Sequence, residues 1–574
     1  MILKRRLCLV ELEERITPSA TFILNAGNPT VTYTENFDGS AGDVVTLHFA
    51  DGGSGGNVMV NVGGSGGNAN DHIDLIKFDG LCNAAASFSA TVEGTGTNPA
   101  SNGIIDTVRT VNFDVPTAGP GAILIEGNIT AVHGTTVTSL TVASNNGTAV
   151  NTPVAHTLGG NLGHLTLNKI DGGSIQVDGN ASRITSVGAF GAASATTLTV
   201  NGNLDSLRAN TIDNSTIVLG SVGKIAVIGG FGSGVPNALT VVGDLGALTA
   251  ANIQDSSITI VGGAGTIAAT GLVTGGEFSS TLIVGHNLKS LTATNIDSSS
   301  INIIGTANKI AAANNFNVSS LSVGHNLGSL TAVNISSSSI SIGNDAGKIA
   351  ATGDVSVTGL TVRSDLRNLT GANISSSGIS IGDDAGNIAA TANFGVTGMT
   401  VGGDLSSLTA KNISSSSISV SGDAGKIAAT GDYSVTGLTI GSDLRTLTAK
   451  NIISSGISVD GNVGKIAVTG DFGVTGLSVH FDLRSLIAKT ATSLTSPIIV
   501  GGSIGTFSMP LASFSAGTIE TGGLKHVFDV LGEADTATRT VTHDLSTVPV
   551  ITTANYVAGG TLIVHANVPD SRFE

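Results

Sequence analysis

An internal repeat restricts the fold of this 574-residue chain more than any other feature of its sequence. The segment that begins at Asp404 reads DLSSLTAKNISSSSISVSGDAGKIAATGDYSVTGLTIGS, and at Asp443 it begins again as DLRTLTAKNIISSGISVDGNVGKIAVTGDFGVTGLSVHF. Equivalent units start at Asn161, Asn203, Asp244, Asn287, Asn326, Asp365, Asp404, Asp443 and Asp482. Because later starts are 39 residues apart, one supersecondary unit builds most of the chain.

Each unit also divides into two similar halves of about 19 to 20 residues. Leu408 in the first half matches Ile427 in the second, and the triplet at residues 418–420 matches the triplet at 438–440. In both triplets apolar residues alternate with Ser or Thr, which is typical of a strand with one buried face. Gly, Asp, Asn and Ser between the strands favour tight turns.

A half-unit of this length cannot bury an apolar face alone, so neighbouring copies must stack. We therefore predict an all-β fold, a parallel β-helix (β-solenoid) of about 17 coils, in which two coils form the 39-residue double repeat. The alternative is a β-propeller, because 39 residues could hold the four strands of a blade. The likeness of the two halves disfavours a propeller, since the strands of a blade have no reason to repeat at half the period.

The repeat also divides the chain into four predicted parts. Residues 1–20 are a leader or targeting segment, and residues 21–115 are an irregular β-rich N-terminal region or cap. Residues 116–501 form the β-solenoid, and residues 502–574 form a C-terminal β-rich cap. Atypical ends suit a solenoid, because its open edges would otherwise pair with other chains.

Composition excludes several classes of function. Charged residues make up 11% of the chain and the net charge is −16, which disfavours a nucleic-acid partner. The sequence contains no run of eighteen apolar residues, so no transmembrane segment is predicted. Cys8 and Cys82 have neither the spacing of a disulfide framework nor that of a zinc site. The absence of Trp fits a narrow aliphatic core.

The first twenty residues have features of a targeting signal. Basic residues 4–6 precede apolar residues 7–10, but acidic residues from Glu11 onward interrupt the apolar stretch of a signal peptide. The string LEERITPS at residues 12–19 resembles the LExR-x-x-P-S leader of large planctomycete surface and exported proteins. This resemblance implies export or surface display, and a short charged start without a targeting role is the alternative.

Six asparagines occupy one position in successive units: Asn252, Asn295, Asn334, Asn373, Asn412 and Asn451. They resemble the asparagine ladders at the turns of parallel β-helices, where the side-chain amide bonds to turn backbone. Since they are two coils apart, at roughly 9.6 Å, direct bonds between them are not expected. Gly353 and Gly431 are predicted to fill the matching place in intervening coils, in left-handed turns.

A lysine column recurs in the Gly-Lys-Ile motif: Lys224, Lys309, Lys348, Lys426 and Lys465, with Asn387 breaking the series. One hypothesis is a basic stripe that binds an acidic polymer. Nearby Asp345, Asp384 and Asp423 favour instead a solvated face of mixed charge.

An aromatic column comprises Phe316, Phe394, Tyr433 and Phe472, with Val355 standing in once. If exposed, these rings could stack on sugars. Because Val355 is accepted at the same position, a small peripheral hydrophobic seam is the favoured interpretation.

Serine runs at 336–339, 375–377 and 414–417 predict flat hydroxyl patches. Such patches could serve adhesion, glycan contact or ice binding, although a polar and unselective surface is the simpler interpretation.

A glycine-rich stretch from Asp51 resembles the GGxGxD calcium-binding nonapeptide of exported bacterial toxins. Asn57 and Asn68 replace the aspartate of that motif, while Asp51, Asp71 and Asp74 could supply oxygens for weak calcium binding. A flexible glycine-rich loop is the favoured interpretation, and no cofactor is predicted.

Two catalytic motifs are lacking: the chain contains no HExxH and no P-loop pattern. Asp383 and Asp384 are consecutive, so on a strand their side chains would point to opposite sides. His286 and His325 repeat one turn position. We therefore predict no catalytic, cofactor-binding or metal-ligating residues.

The sequence thus predicts an extracellular or cell-surface structural or adhesive repeat protein without catalytic activity. The alternative is a carbohydrate-binding or polysaccharide-degrading β-helix protein. The expected partners are cell-envelope components or polysaccharide, and not nucleic acid. The oligomeric state stays open.

Overall fold

A computed structural model describes residues 20–35, 43–53, 55–63, 72–79, 82, 86–93, 105–113, 122–134, 139–143, 160–167, 173–191, 195–232, 235–271, 276–298, 300–490, 498–510, 518–524, 528–531, 553–554 and 561–564. In these ranges the protein is all-β, and no helix occurs. The chain forms two compact units, Met1–Leu272 (unit 1) and Val273–Glu574 (unit 2).

The strands of unit 1 are β1 Ala20–Leu24, β2 Thr30–Glu35, β3 Asp43–Ala50, β4 Val58–Gly63, β5 His72–Phe78, β6 Ser87–Glu93, β7 Ile105–Phe113, β8 Ala122–Gly134, β9 Ser139–Ala143, β10 Leu162–Leu167, β11 Gly173–Val177, β12 Ala181–Ser186, β13 Ala189–Phe190, β14 Thr196–Val200, β15 Leu204–Ala209, β16 Thr211–Ile212, β17 Ser215–Leu219, β18 Val222–Val227, β19 Gly230–Phe231, β20 Ala238–Val241, β21 Leu245–Ala250, β22 Asn252–Ile260 and β23 Ala264–Ala269.

The strands of unit 2 are β24 Glu277–Val284, β25 Leu288–Ala293, β26 Asn295–Ser298, β27 Ile301–Ile303, β28 Ala307–Ala312, β29 Asn315–Val323, β30 Leu327–Ala332, β31 Asn334–Ile342, β32 Ala346–Ala351, β33 Val355–Val362, β34 Leu366–Gly371, β35 Ile374–Ile381, β36 Ala385–Ala390, β37 Asn393–Val401, β38 Leu405–Ala410, β39 Asn412–Val420, β40 Ala424–Ala429, β41 Asp432–Ile440, β42 Leu444–Ala449, β43 Asn451–Val459, β44 Val463–Val474, β45 Leu477–Val479, β46 Leu483–Thr490, β47 Ile498–Pro510, β48 Thr518–Leu524, β49 Phe528–Leu531, β50 Thr553–Ala554 and β51 Thr561–Val564.

Unit 1 begins with antiparallel strands and continues as a parallel solenoid. Strand β1 pairs with β4, β2 with β3, β3 with β6 and β4 with β5, all antiparallel. From the pairing of β5 with β7 onward the ladders are parallel. The strands that follow stack in three parallel columns. One stretch of each column is β12–β15–β18, β13–β16–β19 and β14–β17–β20. Each coil therefore has three sides.

Unit 2 repeats one coil of a short strand followed by a longer one. In the short-strand column Leu408 pairs with Ile427, and in the long-strand column Ile418 pairs with Leu438, both in parallel register. The same residues were matched with each other when the two halves of the sequence unit were compared. The predicted parallel β-solenoid with coils of about 20 residues is confirmed, and the described residues form about 16 turns. The propeller alternative is wrong, because successive coils pair in parallel and no antiparallel four-stranded blades form.

The longer strands of unit 2 change their inward alternation at one place. In β33, Val355 and Val357 are buried, the next two residues are not, and Leu360 is buried again. In alternate coils the inward residue before this shift is a serine, as at Ser337 and Ser376. Its hydroxyl donates to the carbonyl oxygen two residues later, at 2.9 Å for Ser337 and 2.7 Å for Ser376. The buried hydroxyl thus has its partner in the same strand.

Glycine serves two different purposes in unit 2. A Cβ placed on Gly382 would overlap the backbone carbonyl oxygen of Arg363, so this turn requires glycine for close approach of the coils. A Cβ on Gly359 would meet nothing within 4 Å. At Gly359 the missing side chain therefore only lowers the outer surface.

Candidate functional site

The predicted asparagines of unit 2 form part of a continuous ladder in which the intervening coils take part. Nδ2 of Asn373 donates to Oδ1 of Asp354 at 2.8 Å, and Oδ1 of Asn373 accepts from Nδ2 of Asn393 at 3.0 Å. Nδ2 of Asn412 donates to Oδ1 of Asn393 at 2.9 Å. The asparagines predicted to be two coils apart are thus bridged by Asn or Asp on the coil between them. We call this column the asparagine ladder.

Gly353 and Gly431 do not fill the matching position, and the prediction of left-handed turns at these glycines is wrong. Neither has a φ in the left-handed region. The register instead places Asp432 opposite Asn451, one residue after Gly431. The physical reason is the one residue inserted in alternate coils, which lies in this turn and shifts the match by one position. A Cβ on Gly431 would overlap Oδ1 of Asn412.

A second ladder, which the sequence analysis missed, occupies the turn before each short strand. Oδ1 of Asp384 accepts a hydrogen bond from the backbone N–H of Asp404 at 2.8 Å, and Oδ1 of Asp404 accepts from the N–H of Asp423 at 2.7 Å. The members of this aspartate ladder in unit 2 include Asn326, Asp345, Asp365, Asp384, Asp404, Asp423, Asp443, Asn462 and Asp482. The signal was available, because these residues mark the starts of the half-units.

Electrostatics along the aspartate ladder depend on these hydrogen bonds. The side chain of Ser442 and the backbone N–H of Asp443 bond to the Asp423 carboxylate and hold its pKa below the ordinary value. Asp383 and Asp384 lie in the turn between β35 and β36 and are both exposed, so the expected strand geometry with opposite directions does not apply to them. In the described part of the chain no group of three or more His, Cys, Asp or Glu is placed to hold a metal ion.

The lysine column lies on the short strands, with an uncharged residue on each coil between two lysines. Lys309 pairs with Ser329, Ser329 pairs with Lys348, and Lys348 pairs with Asn368. Lys224, Lys309, Lys348, Lys426 and Lys465 are all exposed. Lysines two coils apart are separated by roughly 9.6 Å, close to the Debye length, which weakens their repulsion.

The aromatic column lies in the core. Phe316, Phe394, Tyr433 and Phe472 are each 0% exposed, and Val355 is 1% exposed. The hypothesis that exposed rings stack on sugars is wrong. The hydrophobic interpretation is confirmed, but the column lies inside the core and not in a peripheral seam. The rings alternate with isoleucines on neighbouring coils, which limits the number of large side chains in one cross-section.

A polar groove of about 560 Å³ crosses the long strands of unit 2. One column of its lining has a residue from each of six successive coils, of which the first five are exposed and the last is partly exposed: Asp297, Asn317, Ser336, Ser356, Ser375 and Gly395. Nδ2 of Asn317 donates to Oδ1 of Asp297 at 3.2 Å, and Oγ of Ser375 donates to Oγ of Ser356 at 3.2 Å. Two of the three predicted serine runs contribute to this groove, which we call the hydroxyl groove.

Two further cavities lie in unit 2. At one end of the hydroxyl groove a cavity of about 670 Å³ shares Asp297, Asn317 and Ser336 and adds Glu277. Farther along unit 2 a shallow cavity of about 410 Å³ is lined by Gly437, Gly456 and neighbouring aliphatic residues, with little polar surface. The column of exposed polar residues continues beyond Gly395 with Ser414 and Ser434.

In the glycine-rich stretch of unit 1, the Asp51 side chain bonds to the backbone of the residues that follow it. The Asp51 carboxylate accepts hydrogen bonds from the N–H groups of Gly53 at 3.1 Å and Gly55 at 3.2 Å, and both glycines have left-handed φ. Asn57 bonds through its backbone and side-chain nitrogens to Oδ2 of Asp79, at 2.9 Å each. The favoured loop interpretation fits these bonds. Asn68, Asp71 and the side chain of Asp74 lie outside the described residues.

The remaining candidates are isolated. Burial and the neighbouring Asp79 raise the pKa of the Cys82 thiol to about 12, which disfavours a reactive thiolate. His286 and His325 lie exposed in turns. Of the predicted leader at residues 1–20, residues 1–19 lie outside the described residues.

Comparisons with known proteins yield no relative: no protein-family model, curated protein or solved structure matches the chain. Among the described residues there is also no helix with the length and apolar character needed to cross a membrane.

Proposed function

We propose that the chain is an exported or cell-surface protein with a structural or adhesive role and no catalytic activity. The observation that carries the proposal is the repetition of exposed polar side chains at a spacing of about 4.8 Å on successive coils of unit 2. Contacts that are weak at one coil add up when a partner spans several coils, and avidity rises without any strong individual site.

The leader-like start supports export. The string LEERITPS at residues 12–19 resembles the leader of planctomycete surface and exported proteins, and this resemblance implies export or surface display. The two ladders support a structural role. In the asparagine ladder side chains of neighbouring coils bond to each other, and in the aspartate ladder each side chain accepts a hydrogen bond from the backbone N–H of the next coil. Cell-envelope components or polysaccharide are the partners that such a surface suits.

Cell fractionation tests the proposal. An antibody against unit 2 should detect the protein in the medium or in the washed envelope fraction, and protease added to intact cells should remove the envelope signal. A cytosolic enzyme and a known envelope protein from the same cells serve as controls. Recovery of the chain only with the cytosolic enzyme would contradict export.

A polysaccharide-degrading β-helix is the second candidate, because the hydroxyl groove ends at the exposed carboxylates of Asp297 and Glu277. The purified protein should release no reducing ends from xylan, mannan or polygalacturonate. Release that is abolished by Asp297→Asn, and retained in the control Asp383→Asn outside the groove, would replace the structural proposal by an enzymatic one.

A further inference from the structure

The geometry points to the hydroxyl groove as a binding site for a linear, uncharged polysaccharide that lies across the coils of unit 2. This inference rests on the proposed adhesive function and names the chemical class of its partner. The groove follows six coils, from Asp297 to Gly395, which corresponds to about 24 Å. An open trough of this length accommodates several units of a chain molecule better than one compact ligand.

The lining matches the hydrogen-bonding character of sugars. Ser336, Ser356 and Ser375 are exposed on successive coils, and each hydroxyl both donates and accepts hydrogen bonds. Asn317 adds an amide with both functions. A polyhydroxylated chain presents the same mixture of donors and acceptors at every unit, so its register along the groove can shift without loss of all contacts.

Apolar groups lie between these polar side chains. Val318 and Val357 contribute to the groove, although both are largely buried. The C–H faces of sugar rings can pack on such small apolar areas while the ring hydroxyls bond to serine. Because the aromatic column is buried, the rings do not supply the stacking energy of many glycan sites, and several coils must share the binding.

Charge selects among polysaccharides. None of the described side chains that line the hydroxyl groove is a lysine or an arginine, and Asp297 adds a carboxylate. Glu277 lies beside the same end. Uronate, sulfate or phosphate groups would therefore meet repulsion without a compensating cation, which favours a neutral chain.

The surface next to the groove is kept low. Gly359 and Gly378 follow the lining residues of their coils, and a Cβ on either would meet nothing within 4 Å. Neither position requires glycine for close packing or for a left-handed φ. Thr358 and Ser377 line the groove on this side. The glycines that follow them add no side chain that would cover it, so a long chain can enter sideways rather than by its end.

Affinity electrophoresis of the purified full chain tests the inference, with mannan, xyloglucan, laminarin, polygalacturonate or poly-lysine in the gel. At least one of the three neutral polysaccharides should retard the protein, and polygalacturonate should not. The triple variant S336A/S356A/S375A removes three groove hydroxyls and should weaken binding by about tenfold or more.

A matched control uses the same three coils. The control positions are exposed residues of β31, β33 and β35 that follow the change of inward alternation and lie outside the groove lining: Ser341, Thr361 and Ser380. The variant S341A/T361A/S380A should bind as the wild type does. Circular dichroism and the urea midpoint of both variants show whether the fold is kept.

Four results would overturn the site: no retardation by any neutral polysaccharide, stronger binding to polygalacturonate, binding to poly-lysine alone, or equal losses in the two triple variants. If the groove variant unfolds, the single variant S356N, which is polar and bulkier, replaces it and should still weaken binding. Because the assay uses purified protein, its failure leaves export untouched, and a cytosolic location would leave a positive binding result intact.

Discussion

Replacing Tyr433 by Phe should stabilise unit 2, which is unusual for a substitution in a packed core. Tyr433 is 0% exposed, and its hydroxyl has no hydrogen-bond partner. Phe394 and Phe472 occupy the same column two coils away on either side, so phenylalanine fits the site sterically. The substitution removes one oxygen and leaves the ring between Ile413 and Ile452.

The expected gain follows from the cost of an unpaired hydroxyl. A buried polar group without a partner costs about 1–3 kcal/mol. Removing the oxygen atom leaves a small cavity, which lowers the free energy of unfolding by only a few tenths of a kcal/mol, at about 24 cal/mol per Å³ of cavity. Tyr433→Phe should therefore raise the free energy of unfolding by about 1–2 kcal/mol, and the reciprocal Phe394→Tyr should lower it by a similar amount.

The pH dependence provides a second readout. Burial raises the pKa of Tyr433 above its ordinary value of 10.0, because the phenolate would be desolvated. The unfolded state therefore releases this proton at lower pH than the folded state, and the corresponding stability is lost as the pH rises above about 10. Tyr433→Phe should lack this alkaline loss.

Urea unfolding, followed by far-ultraviolet circular dichroism, measures both effects. Hydrogen exchange of the amides in β41 serves as a local measure, because repeat proteins can unfold in parts. A loss of about 1 kcal/mol or more in Tyr433→Phe, together with an unchanged alkaline slope, would show that the hydroxyl has a stabilising partner. The reasoning from an unpaired buried group would then fail.

Asn373→Ala should destabilise unit 2 by about 1–2 kcal/mol, because it removes side-chain bonds to two neighbouring coils, whereas Ser380→Ala should change the urea midpoint little. Gly382→Ala should lower the thermal midpoint because its Cβ would overlap backbone, while Gly359→Ala, whose Cβ meets open space, should leave it unchanged or raise it. Asp423→Asn should lower stability at neutral pH, since the lowered pKa of Asp423 means that ionisation stabilises the folded state. That difference should disappear in urea titrations as the pH falls below the ordinary carboxyl pKa of 3.8 and through the lowered pKa of Asp423.

Most of the fold of unit 2 could be predicted from its periodicity. The match of Leu408 with Ile427 in the sequence is also their pairing in the parallel ladder, because identical coils stack in register. The alternation of apolar residues with Ser and Thr correctly indicated the buried faces. What periodicity could not show is where the residue inserted in alternate coils is accommodated, and this displaced the expected position of Gly353 and Gly431 by one residue.

The candidate site was harder to predict than the fold. The serine runs indicated exposed hydroxyls, but not that the long strands change their alternation after Ser337 and so create a trough. Val355 in the aromatic column favoured a hydrophobic interpretation, but the sequence pattern did not show that the rings lie fully inside the core. The aspartate ladder was visible only as the start of each half-unit, and its role depends on distances between coils that no linear pattern contains.

The 39-residue period itself has a physical cause in the alternation of side chains between neighbouring coils. Inward Ser337, Ser376, Ser415 and Ser454 alternate with Val357, Val396, Val435 and Val474 on the coils between them. Each buried hydroxyl bonds to its own strand and packs between valines, so no hydroxyl lies on another within the core. Isoleucine alternates with larger rings in the adjacent column in the same way. The packing unit is therefore a pair of complementary coils, and the sequence repeats at the length of that pair.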